Sequence, residues 1–337
     1  MKFLITGGLG FIGSALIRKI IEDTKHNVLN LDKHTYAANL FNLKSIQDCD
    51  RYQFIKGDIC DENLVQKLLD SYQPDFLMHL AAESHVDNSI NNPSEFINTN
   101  ILGTFILLKS CLQYWKSLPY ERKTRFKFHH ISTDEVYGSL NSDKTFDENS
   151  KYQPSSPYAA SKASSDHLVR SWFKTYNLPI VITNCSNNYG PFQFPEKLIP
   201  LTILNAIQGK KIPIYGDGLQ VRDWLHVEDH AEALLRVISE GKIGETYNIG
   251  SNNQRVNIDV VNKICDILDK IVIEKPANLN SFKDLITHVK DRPGHDFRYG
   301  INSLKIVKNL KWKPKIQFEE GIKKTIIWYL NNKNHYI

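Results

Sequence analysis

Cysteine is sparse in this chain and is spaced wrongly for metal chemistry. Cys49, Cys60, Cys111, Cys185 and Cys265 lie far apart in 337 residues. No C-x-x-C pair or Cys/His cluster marks a zinc site, so no metal is expected. An odd thiol count without a secretory segment points to reduced cysteines in a cytoplasmic setting. The opening Met1-Lys2-Phe3-Leu4-Ile5 is too short for a signal core and runs straight into glycines. No apolar run approaches the ~20 residues that a membrane span needs. Dense basic stripes with interleaved aromatics are also missing, which argues against a nucleic-acid partner. The formal charge of +5 is mild. It fits a solvated surface with some attraction for small anions. Repeats and low-complexity segments are absent. What remains is a globular chain sized for one large domain or two modest ones, with enough length for a substantial core.

The first half alternates strands with helices. Residues 2–6 read as a buried strand. Gly7, Gly10 and Gly13 follow, and then an amphipathic helix over 11–22. Glycines there permit a tight turn, a backbone close to a pyrophosphate, and a helix N-terminus facing the phosphates. A second strand, 28–31, ends in Asp32, about 20 residues beyond the glycines, where an acidic residue meets an adenosine ribose. A carboxylate there repels a 2′-phosphate, so NAD is expected rather than NADP. A third unit places a strand at 52–56, Asp58 within reach of an adenine amino group, and a helix over 61–71. A fourth strand, 76–80, runs into Ala81 and Ala82, small enough for backbone to lie against a cofactor. His79 and His85 have no metal partners at ligand spacing, and read as structural histidines.

Residues 93–115 carry Phe96, Ile97, Ile101, Phe105, Leu108 and Leu112 at helical spacing, the mark of a core face or a helix–helix interface. A strand over 126–131 then leads into Ser132-Thr133-Asp134-Glu135. Taken alone, such residues cap a turn. In a parallel sheet, however, ligands bind outside the carboxyl ends of strands. After a polar loop over 139–157, Tyr158 and Lys162 stand at i and i+4 on one helix face. A nearby ammonium lowers a tyrosine pKa, so Tyr158 is expected to serve as a base toward a sugar hydroxyl. The pattern predicts an α/β fold: a doubly wound, Rossmann-type parallel sheet. The expected division is a NAD-binding domain over 1–185 and a smaller, interleaved substrate lobe over 186–337. Elements near 220–250 are expected to return to the first domain.

The glycine triplet with Tyr158-x-x-x-Lys162 resembles the extended short-chain dehydrogenase/reductase family. Thr133-Asp134-Glu135 resembles the nucleotide-sugar 4,6-dehydratases within it, where epimerases usually carry a pair such as Ser-Ser. Stretches 81–90, 183–191, 194–200, Arg222-Asp223-Trp224 and 291–295 resemble the dTDP-glucose 4,6-dehydratases, so the likeness spans nearly the whole chain. The segment between Gly138 and Tyr158 departs from it, being shorter than is usual in bacterial members. The resemblance implies a lyase with tightly bound NAD that turns dTDP-glucose into its 4-keto-6-deoxy derivative, as in deoxysugar (for example rhamnose) biosynthesis. UDP-glucose is the alternative substrate, and 4-epimerisation the alternative reaction. A silent NAD-binding scaffold is a third reading, and the intact Thr133, Tyr158 and Lys162 speak against it. Thr133, Asp134, Glu135, Tyr158 and Lys162 are implied as catalytic, with Asp134 as acid and Glu135 as base.

Implied cofactor contacts are Gly7, Gly10, Phe11, Ile12 and Gly13; then Asp32, Lys33, Thr35, Asp58 and Ile59. Leu80, Ala81, Ala82, Ser84, Thr99 and Asn188 join them, together with Tyr158 and Lys162. Implied substrate contacts are Ser84, His85, Thr133, Asn187, Lys197 and Leu198, then Pro213, Tyr215, Arg222, Asn257, Arg292 and His295. Arginine suits a diphosphate because its fork offers paired donors, which singles out Arg222 and Arg292. A homodimer pairing the 96–112 and 158–176 helices is also implied.

Overall fold

The computed structural model describes residues 1–140, 144–276 and 279–336. Positions 141–143 of the predicted polar loop fall outside the described residues.

The first half builds β1 (Lys2–Thr6), α1 (Phe11–Asp23), β2 (Asn27–Asp32), β3 (Tyr52–Lys56), α2 (Glu62–Tyr72) and β4 (Phe76–His79). It continues through α3 (Val86–Asn91), α4 (Pro93–Phe96), α5 (Thr104–Ser117), α6 (Tyr120–Arg125), β5 (Lys127–Thr133), α7 (Pro157–Tyr176) and β6 (Ile180–Cys185). The second half adds β7 (Asn187–Tyr189), α8 (Leu198–Ile207), β8 (Ile212–Tyr215), β9 (Val221–His226), α9 (Val227–Glu240) and β10 (Thr246–Ile249). It closes with β11 (Gln254–Val256), α10 (Asn257–Ile271), β12 (Ile286–Val289), α11 (Leu304–Leu310) and α12 (Phe318–Asn332).

Seven strands form one parallel sheet in the order β10-β6-β5-β4-β1-β2-β3. Its central strands read as near-continuous apolar runs because both faces are covered. Phe3 and Ile5 join the α1 and α9 side chains on one face, while Leu4 joins α2, α5 and α7 on the other. Chain order reverses at β1, which pairs with both β2 and β4. That switch point opens a crevice at the carboxyl ends. The remaining strands make a three-stranded sheet, β11-β9-β7, and a parallel pair, β12-β8. With α8, α10 and α12 they enclose a separate core around Ile203, Ile264 and Ile322.

Two local differences from the sequence reading bear on function. The 93–115 stripe is not one α-helix: a π-helical segment, Ile97–Gly103, joins α4 to α5. Wide turns of this kind often accompany functional sites. Here the turn aims Asn100, whose amide bonds both the N–H and the C=O of Glu83 and reaches Ser161 Oγ at 2.8 Å. The strand expected to end at residue 131 runs on to Thr133, and Asp134–Tyr137 then form a 3-10 turn. Strand pairing of Ser132 and Thr133 with Asn184 and Cys185 carries it forward.

Candidate active site

A cavity of about 640 Å³ lies along the carboxyl ends of the central strands, with β8, β9 and α8 forming its far wall. Every site residue expected from the sequence lines it except Asp134.

At one end the backbone itself is the binding surface. Gly7 sits at φ +76°, and a Cβ there would stand 2.5 Å from Ala81 N; a Cβ on Gly13 would stand 2.3 Å from Gly7 O. Only glycine fits either place. No side chain caps the N-terminus of α1, so its N–H groups are left for a ligand. Asp32 accepts from Leu9 N at 2.9 Å and His34 N at 2.8 Å. Burial pushes its carboxyl upward, and those two amides oppose the shift. Lys33 pairs with Asp58 at 2.8 Å, beside the surface expected to meet adenine. Asn188 faces partly inward: its Oδ1 meets His230 Nδ1 at 2.9 Å and its Nδ2 bonds Ser186 O. A glycine cradle, a free helix N-terminus and a carboxylate at the end of β2 together fit a dinucleotide of the NAD type.

The reacting end is formed by β5 and α7. Ser156 caps α7 through Ala159 N, and Pro157 occupies its first turn, which fixes the start of the helix and hence Tyr158. Thr133 Oγ1 accepts from Glu135 N at 3.3 Å, so this hydroxyl caps the turn that carries the two acids. Asp134 lies behind the cavity wall at 2% exposure, and its Oδ2 has no hydrogen-bond partner. Burial, then the neighbouring Glu135 and Asp223 carboxylates, push Asp134 well above the ordinary range. This environment favours its neutral form. Glu135 faces the cavity. Burial raises it too, but Arg292, Lys197 and Arg222 all favour its charged form. Their environments push two adjacent carboxyls apart, as paired acid and base chemistry requires.

The tyrosine expectation needs correcting. Tyr158 is shifted up rather than down, by burial first and then by Glu135, with the Thr133 hydroxyl opposing. Lys162 does not outweigh this: its Nζ donates to Ile131 O at 2.9 Å, and burial lowers its own pKa. Helical spacing sets the two groups side by side, but burial dominates the ionisation of both.

Across the cavity, Asn187 and Asn257 each present a buried carbonyl oxygen without a partner. Lys197 Nζ donates to Ser84 O at 2.9 Å, and burial lowers its pKa. His295 Nδ1 meets Asp291 at 2.6 Å. The two arginines differ from the expected pair of open forks. Arg222 uses its terminal nitrogens on the carbonyls of Val221, Asp296 and Phe297 and stacks 4.2 Å from the Tyr299 ring. Arg292 holds Asp87 at 3.5 Å and keeps a buried Nε without a partner.

The sequence reading missed several residues in or behind this wall, of which Asp87 and Glu196 line the cavity. Tyr299 OH donates to Asp296 at 2.7 Å and approaches Glu135 at 3.5 Å. Asp87 accepts from Tyr215 OH at 3.0 Å, and Glu196 lies 3.9 Å from His85. Asp87 and Glu196 sit inside stretches already singled out, so position in the motif could have flagged them. Nothing in the spacing marks Tyr299. Among the described residues, no group of three or more His, Cys, Asp or Glu side chains could hold a metal ion.

A family model described as GDP-mannose 4,6 dehydratase matches residues 4–325. The dTDP-glucose 4,6-dehydratase of Escherichia coli is 58% identical over 99% of this chain and 94% of its own length. The Streptomyces venezuelae dTDP-glucose 4,6-dehydratase, crystallised with NAD, superposes with a TM-score of 0.90 at 38% identity, covering 100% of this chain and 99% of that one. The Bacillus anthracis enzyme of the same name, in complex with NAD, gives 0.88 at 42% identity, covering 100% and 98%. The chain belongs to the dTDP-glucose 4,6-dehydratase family, within the wider nucleotide-sugar dehydratases that the GDP-mannose 4,6 dehydratase model describes.

Proposed function

We propose that this chain is a NAD-dependent dTDP-glucose 4,6-dehydratase: it oxidises the sugar at C4, eliminates water across C5 and C6, and reduces C6. The observation that carries this reading is the adjacent Asp134–Glu135 pair at the end of β5, one acid pushed toward its neutral form and the other faced by Arg292, Lys197 and Arg222.

NAD, held by the glycine cradle and Asp32, would supply a hydride acceptor for C4 and the hydride donor for C6. Tyr158 takes the O4 proton as its phenolate, with Lys162 adding positive charge from the next turn of α7 and the Thr133 hydroxyl sharing a bond with that oxygen. A ketone at C4 acidifies the C5 proton. Glu135 faces the cavity and removes it. Asp134, whose Oδ1 lies 3.5 Å from Thr133 Oγ1, supplies a proton to the departing C6 hydroxyl. Arg292, whose Nε is unpartnered, bonds the diphosphate directly, while the engaged Arg222 contributes fixed positive charge. Asn187 and Asn257 orient the rest of the substrate through their free carbonyl oxygens.

Offering dTDP-glucose and UDP-glucose side by side, with mass spectrometry of the products, tests this. Loss of one water from dTDP-glucose is expected. A product of unchanged mass would indicate epimerisation instead.

The same reading includes a homodimer. Phe105 and Tyr176 are exposed on α5 and α7, and Trp172 bridges them at 5.9 and 5.5 Å. Ile97 and Leu102 stand exposed on the adjoining π-helical segment. Apolar groups in this arrangement suit a second copy of the same helix pair. Among the described residues, no helix is long and apolar enough to cross a membrane. All five cysteines are free thiols, which suits a reducing cytoplasm.

A further inference from the structure

Behind the catalytic face lies a second polar cluster that the proposed chemistry does not use. Its centre is Asp166, fully buried on α7, one helical turn beyond Lys162 on the same face. Tyr152 OH donates to Asp166 Oδ2 at 2.8 Å, and Asn184 Nδ2 lies 3.5 Å from the same oxygen. Asn184 Nδ2 also bonds Thr133 O at 3.1 Å. Arg170, a further turn along α7, donates to Tyr152 OH at 2.6 Å. His130 Nε2 stands 3.1 Å from Asp166 Oδ1. The cluster therefore connects the helix carrying Tyr158 and Lys162 to the carbonyl end of β5, where Thr133 and the acid pair begin.

We propose that Asp166 is a positioning residue for the oxidation step: it supplies the buried countercharge to Lys162 and, through Asn184 and Tyr152, fixes the β5 end that presents Thr133. A buried carboxylate persists only when paired and hydrogen-bonded, and the surrounding groups leave this role to Asp166. His79 on β4 and His130 on β5 are neutral, since burial lowers both, His130 to about 4. Cys185 on β6 is a neutral thiol, pushed up to about 12 by burial, and burial raises Tyr137 and Tyr152 as well. Burial would raise Asp166, but the hydrogen bond with His130 and the charges of Arg170 and Lys162 outweigh it and hold the carboxyl below its usual range. Among the carboxylates, Asp166 is the principal one favouring the charged form of Lys162. Asp166 thus stands as a buried anion between the cations Lys162 and Arg170. A neutral amide in its place leaves those cations uncompensated, and Lys162 then sheds its proton more readily.

The inference rests on the assignment of Tyr158 and Lys162 to C4 oxidation, and the test separates the two. Formation of enzyme-bound NADH is followed against pH in single turnovers of NAD-loaded protein with dTDP-glucose. No NADH from the parent protein at any pH would remove the functional reading itself. Given normal formation by the parent, Asp166→Asn is expected to move the high-pH limb, where Lys162 deprotonates, downward by about one pH unit or more. Tyr152→Phe keeps the charge and removes one link to Asp166. It is expected to lower kcat for this step about ten-fold with KM within about two-fold. An unmoved limb in folded, NAD-loaded Asp166→Asn overturns the proposal. If Asp166→Asn does not yield folded protein, an unchanged kcat in Tyr152→Phe overturns it.

Discussion

Replacing Glu135 by Gln should separate the two halves of the reaction. The amide keeps the shape of the side chain and its approach to Tyr299 OH, now 3.5 Å, but it cannot accept the C5 proton. Loss of a general base costs about 10²–10⁴ in rate, or about 3–5 kcal/mol on the elimination barrier. Oxidation at C4 should respond differently. Glu135 is the largest charge opposing ionisation of Tyr158, after burial itself. Removing it makes the phenol easier to deprotonate, so the first step should persist or quicken slightly. Rapid mixing should then show bound NADH accumulating with dTDP-glucose, while mass spectrometry shows product lacking one water falling at least 10²-fold. Dehydration within about three-fold of the parent would remove Glu135 from the role of base. Loss of the NADH signal would show that the carboxylate serves oxidation as well.

Three further expectations follow from the same geometry. Tyr158→Phe should reduce bound NADH formation by about 10² or more; normal formation would refute its assignment as base. Asp134→Asn should block elimination yet stabilise the fold. Folding raises the Asp134 pKa, so folded chains keep a proton that unfolded chains release as pH rises, and stability falls with pH. The variant's thermal midpoint should therefore exceed the parent's at pH 8 by about 2 °C or more, the gap closing below about pH 4; a lower midpoint at pH 8 would contradict this. Light scattering should give a dimer, with Phe105→Glu shifting it toward monomer, and a monomeric parent would overturn the helix-pair interface.

The parallel sheet was legible because period and punctuation agree: apolar runs, glycines or acids at their ends, then amphipathic helices. The sequence showed the glycine cradle, Asp32 and the acid pair because each sits at a strand end, where position implies role. Elsewhere the local pattern was silent. The break at Ile97–Gly103 keeps the same apolar residues as a continuous helix, so periodicity cannot reveal it. Short strands such as β7 and β11 exist only through pairing with β9. Tyr299 reaches Glu135 across 164 residues. The rise in Tyr158 pKa and the engagement of Arg222 are burial effects, and spacing along a helix carries no information about burial.

The central claim is that one bound cofactor moves a hydride from C4 to C6 around an elimination driven by Asp134 and Glu135. dTDP-glucose deuterated at C4 tests it most directly. The dehydrated product should carry the deuterium at C6, within the same molecule. Deuterium lost to solvent, or retained at C4 in a product of unchanged mass, would contradict the account.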